Sequence, residues 1–295
     1  MLSGAENLIS PDQRPSSPLA APWRAEHPTR HAAVHLHFSH IRNKTVLTAS
    51  RATSPLRILS PQNPGAAAWV YTSSFGGGLL AGDDLSVNVV VDARATAYLS
   101  TQSSTKIYRS DNGLVSRQSL DAKIAEDALL ILLPDPVSCF AGARYHQKQR
   151  FDLSHTASLV LFDGFTSGRH ASGERWAAAE YRTNNEIWLD GTCLLRDRLC
   201  LTPGTTRLGM KSLNCLATLI LIGPKLEAHA AHMSQQVQRL PVKPNTPVSI
   251  SASPLAKGLI LRAAGPNAES ISQTIFSCLA FLTEFLGEAP WSRKW

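Results

Sequence analysis

The 295-residue sequence is 43% apolar and only 17% charged, with a formal net charge of +7. That leaves room for one large domain or two modest ones around a sizeable core. The basic balance favours acidic partners, yet Lys and Arg are scattered with no run of five, so a nucleic-acid-binding module stands only as an alternative. Five cysteines, Cys139, Cys193, Cys200, Cys215 and Cys278, include no CxxC pair; this fits a reducing compartment and argues against a disulfide framework or a structural zinc site.

In chain order, residues 1–30 carry five prolines among serines and alanines with no apolar period, which predicts a disordered tail. No signal-peptide pattern is visible and no apolar run approaches a membrane span, so a cytoplasmic, soluble protein is expected. Order is expected from "AAVHLHFSH", where Val34, Leu36 and Phe38 alternate with His35, His37 and Ser39 as in a strand with one buried face. Strand patterns recur at Leu85, Val87, Val89 and Val91, then in "AYLSTQ", "ALLILLP", "SLVLF", "EIWLDGTCLLRDRLCL" and "LATLILIG". The turn formers "DARAT", "SDNG", "PDP", "LDG" and "TPG" punctuate them. Many short strands mean a stack of β-sheets. Helical periodicity enters late, over 226–240 and most strongly over 269–287, where Ile271, Ile275, Cys278, Leu279, Leu282, Phe285 and Leu286 share one stripe. Phe276 and Phe281 fall off that stripe, so the final helix is expected to find a second cover on a partner. No internal repeat is apparent. The reading is a tail over 1–30 and a single domain over 31–295, β-rich over 31–222 and helical within 223–295.

Several stretches invite a chemistry. "SSFGGGLLAGDD" (73–84) resembles a phosphate cradle, but a strand pattern follows it and no helix start supplies amides, so a tight connection is expected. Ser103 and Lys106 spell S-x-x-K, and Ser110-Asp111-Asn112 spells S-D-N, which raises a serine acyl hydrolase as an alternative. That chemistry needs the serine one helical turn before the lysine, and these flanks read as strand. His31, His35, His37 and His40 crowd the first strand, where alternate residues can converge on a metal; a solvated face is the simpler expectation. His229 and His232 lack the Glu of a zinc helix.

Longer motifs come in a fixed order: "KTVL" (44–47), "PLRIL" (55–59), "GGGLLAGDDL" (76–85), "STQSSTKIYRS" (100–110), "LLPDPVSCFAGARYHQKQRFDL" (132–153), "LVLFDGFTSGR" (159–169) and "LLRDRLCL" (194–201). Together, over roughly residues 31 to 222, they resemble the urease accessory protein UreD (UreH) family. Lys44 departs from the family's usual arginine, Ala81 from its commoner glycine, and the N-terminal histidines are not part of its pattern. The resemblance implies a non-enzymatic nickel-insertion chaperone that binds apo-urease and a UreF-like protein, and through the latter a UreG-like GTPase. It implies a mainly β, two-layered β-helix-like stack of sheets with a small C-terminal helical part. It also implies nickel in transit through a polar internal tunnel, with no tightly held cofactor. Asp83, Asp163 and Asp197 lie in motifs that match the family and are expected along that route, with Thr105 as a polar neighbour. Asp163 follows the apolar run "SLVL", so its carboxylate must be paired, protonated or wet. Isolated carboxylates pass a cation on, where a His/Cys cage would hold it.

Overall fold

The protein is described by a computed structural model at residues 30–62, 65–210, 212–240 and 246–293. The tail expected over 1–30 lies, Arg30 excepted, outside the described residues. Strands β1 (His31–Ile41) and β2 (Lys44–Ala52) form a hairpin closed by Arg42 and Asn43, both at positive φ, the geometry a two-residue turn needs to match strand twist. A short strand, β3 (Leu56–Leu59), leads into the body.

From residue 68 the chain winds in rungs. The first is β4 (Ala68–Ser74), β5 (Gly78–Leu79) and β6 (Asp84–Val91). The second is β7 (Thr96–Thr101), β8 (Lys106–Ile107) and β9 (Ser116–Ile124). The third is β10 (Leu129–Leu132), β11 (Val137–Cys139) and β12 (Arg144–Leu153), and the fourth is β13 (Ser158–Thr166) and β14 (Glu180–Leu189). Corresponding strands of successive rungs pair in parallel, so β6, β9, β12 and β14 build one sheet and β4, β7, β10 and β13 the other, with β5, β8 and β11 as a narrow third ladder.

This is a repeat of roughly 30 residues, although none is apparent in the sequence. Its mark is one alanine per rung: Ala95, Ala128 and Ala157 are each wholly buried at the same corner. There the amide of Leu129 bonds the carbonyl of Ala95, and that of Ser158 the carbonyl of Ala128. A second corner repeats in "AGDD" and "AGAR", where Gly82 and Gly142 hold positive φ and Asp83 and Ala143 occupy equivalent places.

An antiparallel cap closes the far end. The first sheet gains β15 (Thr192–Leu201) beyond β14, and runs β15-β14-β12-β9-β6-β1-β2. After α1 (Pro203–Gly209), β16 (Cys215–Ile222) pairs β13 antiparallel. Helix α2 (Glu227–Gln238) then precedes the hairpin β17 (Ser249–Leu255) and β18 (Gly258–Gly265), giving a second sheet β17-β18-β16-β13-β10-β7-β4-β3. The stretch 223–295 carries the helical elements expected there and two strands besides. The mainly β, stacked-sheet expectation holds.

The helix expected over 269–287 breaks at Leu279 into α3 (Ala268–Cys278), a single tight turn over Ala280–Leu282, and α4 (Thr283–Leu286). Its stripe is nevertheless the buried face: Ile271, Ile275, Leu279, Leu282 and Leu286 are wholly covered against the outer side of the second sheet. The two off-stripe rings find covers within the chain. Phe276 stacks on Trp291 at 4.8 Å between centroids, and Phe281 stacks on His229 of α2 at 4.0 Å. With helices on one side and the first sheet on the other, β13 is buried from Ser158 to Phe165, which explains its unbroken apolar run.

Candidate functional site

Between the sheets, aliphatic packing stops at one level and resumes above it. Inward residues of β12 run Leu153 and Phe151, then Gln149 and Gln147, then Tyr145; those of β14 run Ile187, then Asn185 and Thr183, then Tyr181. On the facing sheet, β13 runs Leu159, Leu161, Asp163 and Phe165. Strand phase alone sets these directions, because alternate residues share a face. The result is a polar layer sandwiched between two apolar ones.

Register lines the polar residues up. Gln118, Gln147 and Thr183 are neighbours across β9, β12 and β14, and Gln149, Asn185 and Asp197 across β12, β14 and β15. In the second sheet Asp163, Thr218 and Arg262 are neighbours across β13, β16 and β18. The two rows meet face to face at Asp163 and again at the open edge, where Arg262 Nη2 donates to Asp197 Oδ1 at 2.6 Å.

Asp163 is the buried carboxyl group of this layer. Its Oδ1 accepts from Gln147 Nε2 at 3.0 Å, and its Oδ2 accepts from Thr183 Oγ1 at 3.0 Å and Asn185 Nδ2 at 2.8 Å. Burial pushes its pKa above the ordinary 3.8; the three hydrogen bonds pull it back, and the nearby Asp197 charge adds to the rise. The Tyr145 hydroxyl lies 3.1 Å from the Oε1 atoms of both Gln118 and Gln147, so its single proton serves one at a time and keeps the Gln147 amide turned toward Asp163. Gln149 Oε1 and Asn185 Oδ1 are buried acceptors without a protein donor among the described residues. Such groups call for water or a cation.

Space is present beside Gln149 and Asp163. A cavity of about 50 Å³ is lined by Thr105, Gln118, Gln147, Gln149 and Asp163. A second, also about 50 Å³, runs past Gly77, Ser103 and Ser104 and shares Thr72, Val87, Thr105 and Gln118 with the first. Each exceeds the minimum a water molecule needs. At the other end, a groove of about 400 Å³ is lined by Asp197, Thr218 and Arg262.

The structure therefore brings three of the four expected residues onto one layer. Thr105 and Asp163 share a cavity, and Asp197 follows through Asn185. Asp197 pairs with Arg262 rather than with its sequence neighbours, since Arg196 and Arg198 turn to Glu186. Asp83 lies apart, at the second corner. It is 2% exposed, accepts from the Leu80 amide at 2.8 Å and pairs with Arg30 at 3.4 Å. Gln118, Gln147, Gln149, Thr183, Asn185, Thr218 and Arg262 were missed. Their signal was phase: each sits in line with aliphatic residues of its own strand.

The other candidates separate. Gly76 and Gly77 take positive φ in open space, and a Cβ on Gly78 would collide with the Lys106 carbonyl, so the run serves a turn and a close strand approach; β5 follows, not a helix. Ser103 is exposed in a loop and Lys106 exposed on β8, without the helical turn that S-x-x-K needs. His37 pairs with Asp92 at 2.9 Å and His31 with Asp84 at 3.8 Å, and no group of three metal-ligating side chains occurs among the described residues. No described helix is long and apolar enough to cross a membrane.

Comparison with known proteins adds a family to this geometry. The family model described as UreD urease accessory protein matches residues 30–295. A urease accessory protein UreD of Sorangium cellulosum is 42% identical, over 97% of this chain and 99% of its own. One of Anaeromyxobacter sp. is 41% identical over 92% of each chain, and the urease accessory protein D of Arabidopsis thaliana is 32% identical over 85% of this chain and 97% of its own.

Proposed function

The chain belongs to the UreD family of urease accessory proteins, and on that premise we propose that it is a nickel-insertion chaperone. In this reading it binds apo-urease and a UreF-like protein, engages a UreG-like GTPase through the latter, and passes nickel toward the urease active site from the cytoplasm. It performs no bond-making chemistry of its own. Nickel is cargo, with no tightly bound cofactor.

The observation that carries the reading is the polar layer. A two-sheet sandwich gains nothing in stability by interrupting its aliphatic core with a carboxylate and four amide side chains, because each must be desolvated and matched. A cation in transit, however, needs such a layer: oxygen ligands, weak and spread out, with wet space between them. Asp163 supplies charge at the centre, Gln149 and Asn185 offer free oxygens beside it, Thr105 lines the approach and Asp197 stands at the far mouth. Asp83 enters as the cap of a corner rather than a station. The direct test is co-purification of urease and a UreF-like protein with this chain from native extract, followed by urease activation with the Asp163→Ala variant. Normal partners with poor activation support the proposal. An extract in which the chain retains neither partner overturns the chaperone reading.

A further inference from the structure

Arg262 stands where the polar layer reaches the open edge of the sandwich. Among the described residues its bond to Asp197 is the one ion pair that joins a strand of the first sheet to a strand of the second. The two partners are unequal: the Asp197 side chain is 16% exposed and that of Arg262 is 52% exposed. The guanidinium is thus the outer member and the carboxylate the inner one. Inward, Asp197 lies beside Asn185, whose amide bonds Asp163. Outward lies the groove of about 400 Å³. Opposite Arg262 the edge strand β17 carries only Ser251, and Ser251 lines that groove, so the guanidinium has room to swing aside.

From this geometry we infer that Arg262 is the specificity-determining residue of the Asp197 mouth, a tethered cation that holds the carboxylate until a mobile cation displaces it. The inference rests on the polar layer being a cation path. A guanidinium–carboxylate contact combines charge with a hydrogen bond, so a monovalent ion gains little by replacing it. A divalent ion brings twice the charge to the same oxygen and can compete. When that ion moves on, the guanidinium returns, which keeps residence at Asp197 short. Affinity and delivery are thereby set against each other: without the tether the mouth binds more tightly and releases more slowly.

The test uses the full chain, Ni²⁺ alone as the probe, calorimetric titration for affinity and stopped-flow transfer to a chromophoric chelator for release. Arg262→Gln should bind Ni²⁺ about two- to fivefold more tightly, the worth of one partly exposed pair, and release it correspondingly more slowly. Arg262→Lys, which keeps the charge, should stay at the wild-type values. In an Asp197→Asn background, Arg262→Gln should change nothing. Urease activation by Arg262→Gln should fall although its affinity has risen, a split that mere loss of packing would not produce. If Asp163→Ala and Asp197→Asn weaken Ni²⁺ binding while Arg262→Gln leaves it unchanged or weaker, the path stands and the gate is wrong. If Asp163→Ala and Asp197→Asn leave binding untouched, path and gate fall together.

Discussion

Two layers of one sandwich are made from the same strands and built to opposite ends. In the lower layer Leu130, Phe151, Leu161, Ile187 and Ile220 are almost wholly buried against one another. Two residues further along β12, β13, β14 and β16 stand Gln149, Asp163, Asn185 and Thr218. The backbone, the register and the spacing of the sheets are shared. Only the side chains differ, so the difference isolates what folding requires from what it merely tolerates. Each buried leucine contributes about 1.5–3 kcal/mol, whereas a buried carboxylate contributes nothing unless its partners offset its desolvation. The lower layer holds the sheets together; the polar layer is tolerated by folding rather than required by it.

That contrast can be broken most severely at Leu161. Leu161→Ala should destabilise the protein by about 2–5 kcal/mol in urea unfolding, because it opens a cavity in a closed aliphatic layer. Any loss of urease activation should then follow the loss of folded protein. Asp163→Ala, two residues along the same strand, should cost about 1 kcal/mol or less, since water in the adjoining cavity can take up the three freed donors. Its loss of activation should be far out of proportion to that small cost. Equal destabilisation by the two variants would mean that the polar layer is structural.

Acidity sharpens the contrast further. Because burial raises the Asp163 pKa above 3.8, the folded chain holds this proton more tightly than the unfolded chain. Its contribution to stability is therefore greatest at low pH and declines as pH rises from 3.8 through the raised value. The stability difference between wild type and Asp163→Ala should shift in favour of the wild type on acidification through that window, measured by paired urea melts. Ni²⁺ binding should weaken over the same window, because the protonated carboxyl is a poor ligand. A pH-independent difference would place Asp163 in an ordinary environment.

The smallest expected effect falls at the corner. Asp83→Asn should lose about 0.5–1.5 kcal/mol through its bonds to the Leu80 amide and Arg30, measured in urea, with urease activation unchanged. A strong loss of activation would restore Asp83 to the route.

Much of the fold was legible because strand alternation survives in most of the elements: Val34, Leu36 and Phe38 mark β1 as plainly as the unbroken "SLVL" marks a strand covered on both faces. The winding was not legible, since its repeat shrinks to Ala95, Ala128 and Ala157 while the side chains around them vary freely. The break at Leu279 was hidden because the helical stripe continues through it unchanged. At the site, carboxylates drew the eye and amides did not. Gln147 and Gln149 read as the polar face of an alternating strand; only their phase with Phe151 shows that they point inward. Arg262 could not be paired with Asp197 at all, because that contact depends on two sheets meeting edge to edge 65 residues apart in sequence.

The central claim is that cargo nickel crosses the polar layer, and one measurement meets it directly. Urease is activated at limiting nickel with the complete accessory assembly, in which this chain carries Asp163→Ala, Asp197→Ala and Thr105→Ala together, and the nickel content of the purified urease is determined by mass spectrometry. The account predicts that the assembly forms at its normal stoichiometry while the urease emerges nickel-poor and inactive. Full nickel loading by the triple variant would contradict it.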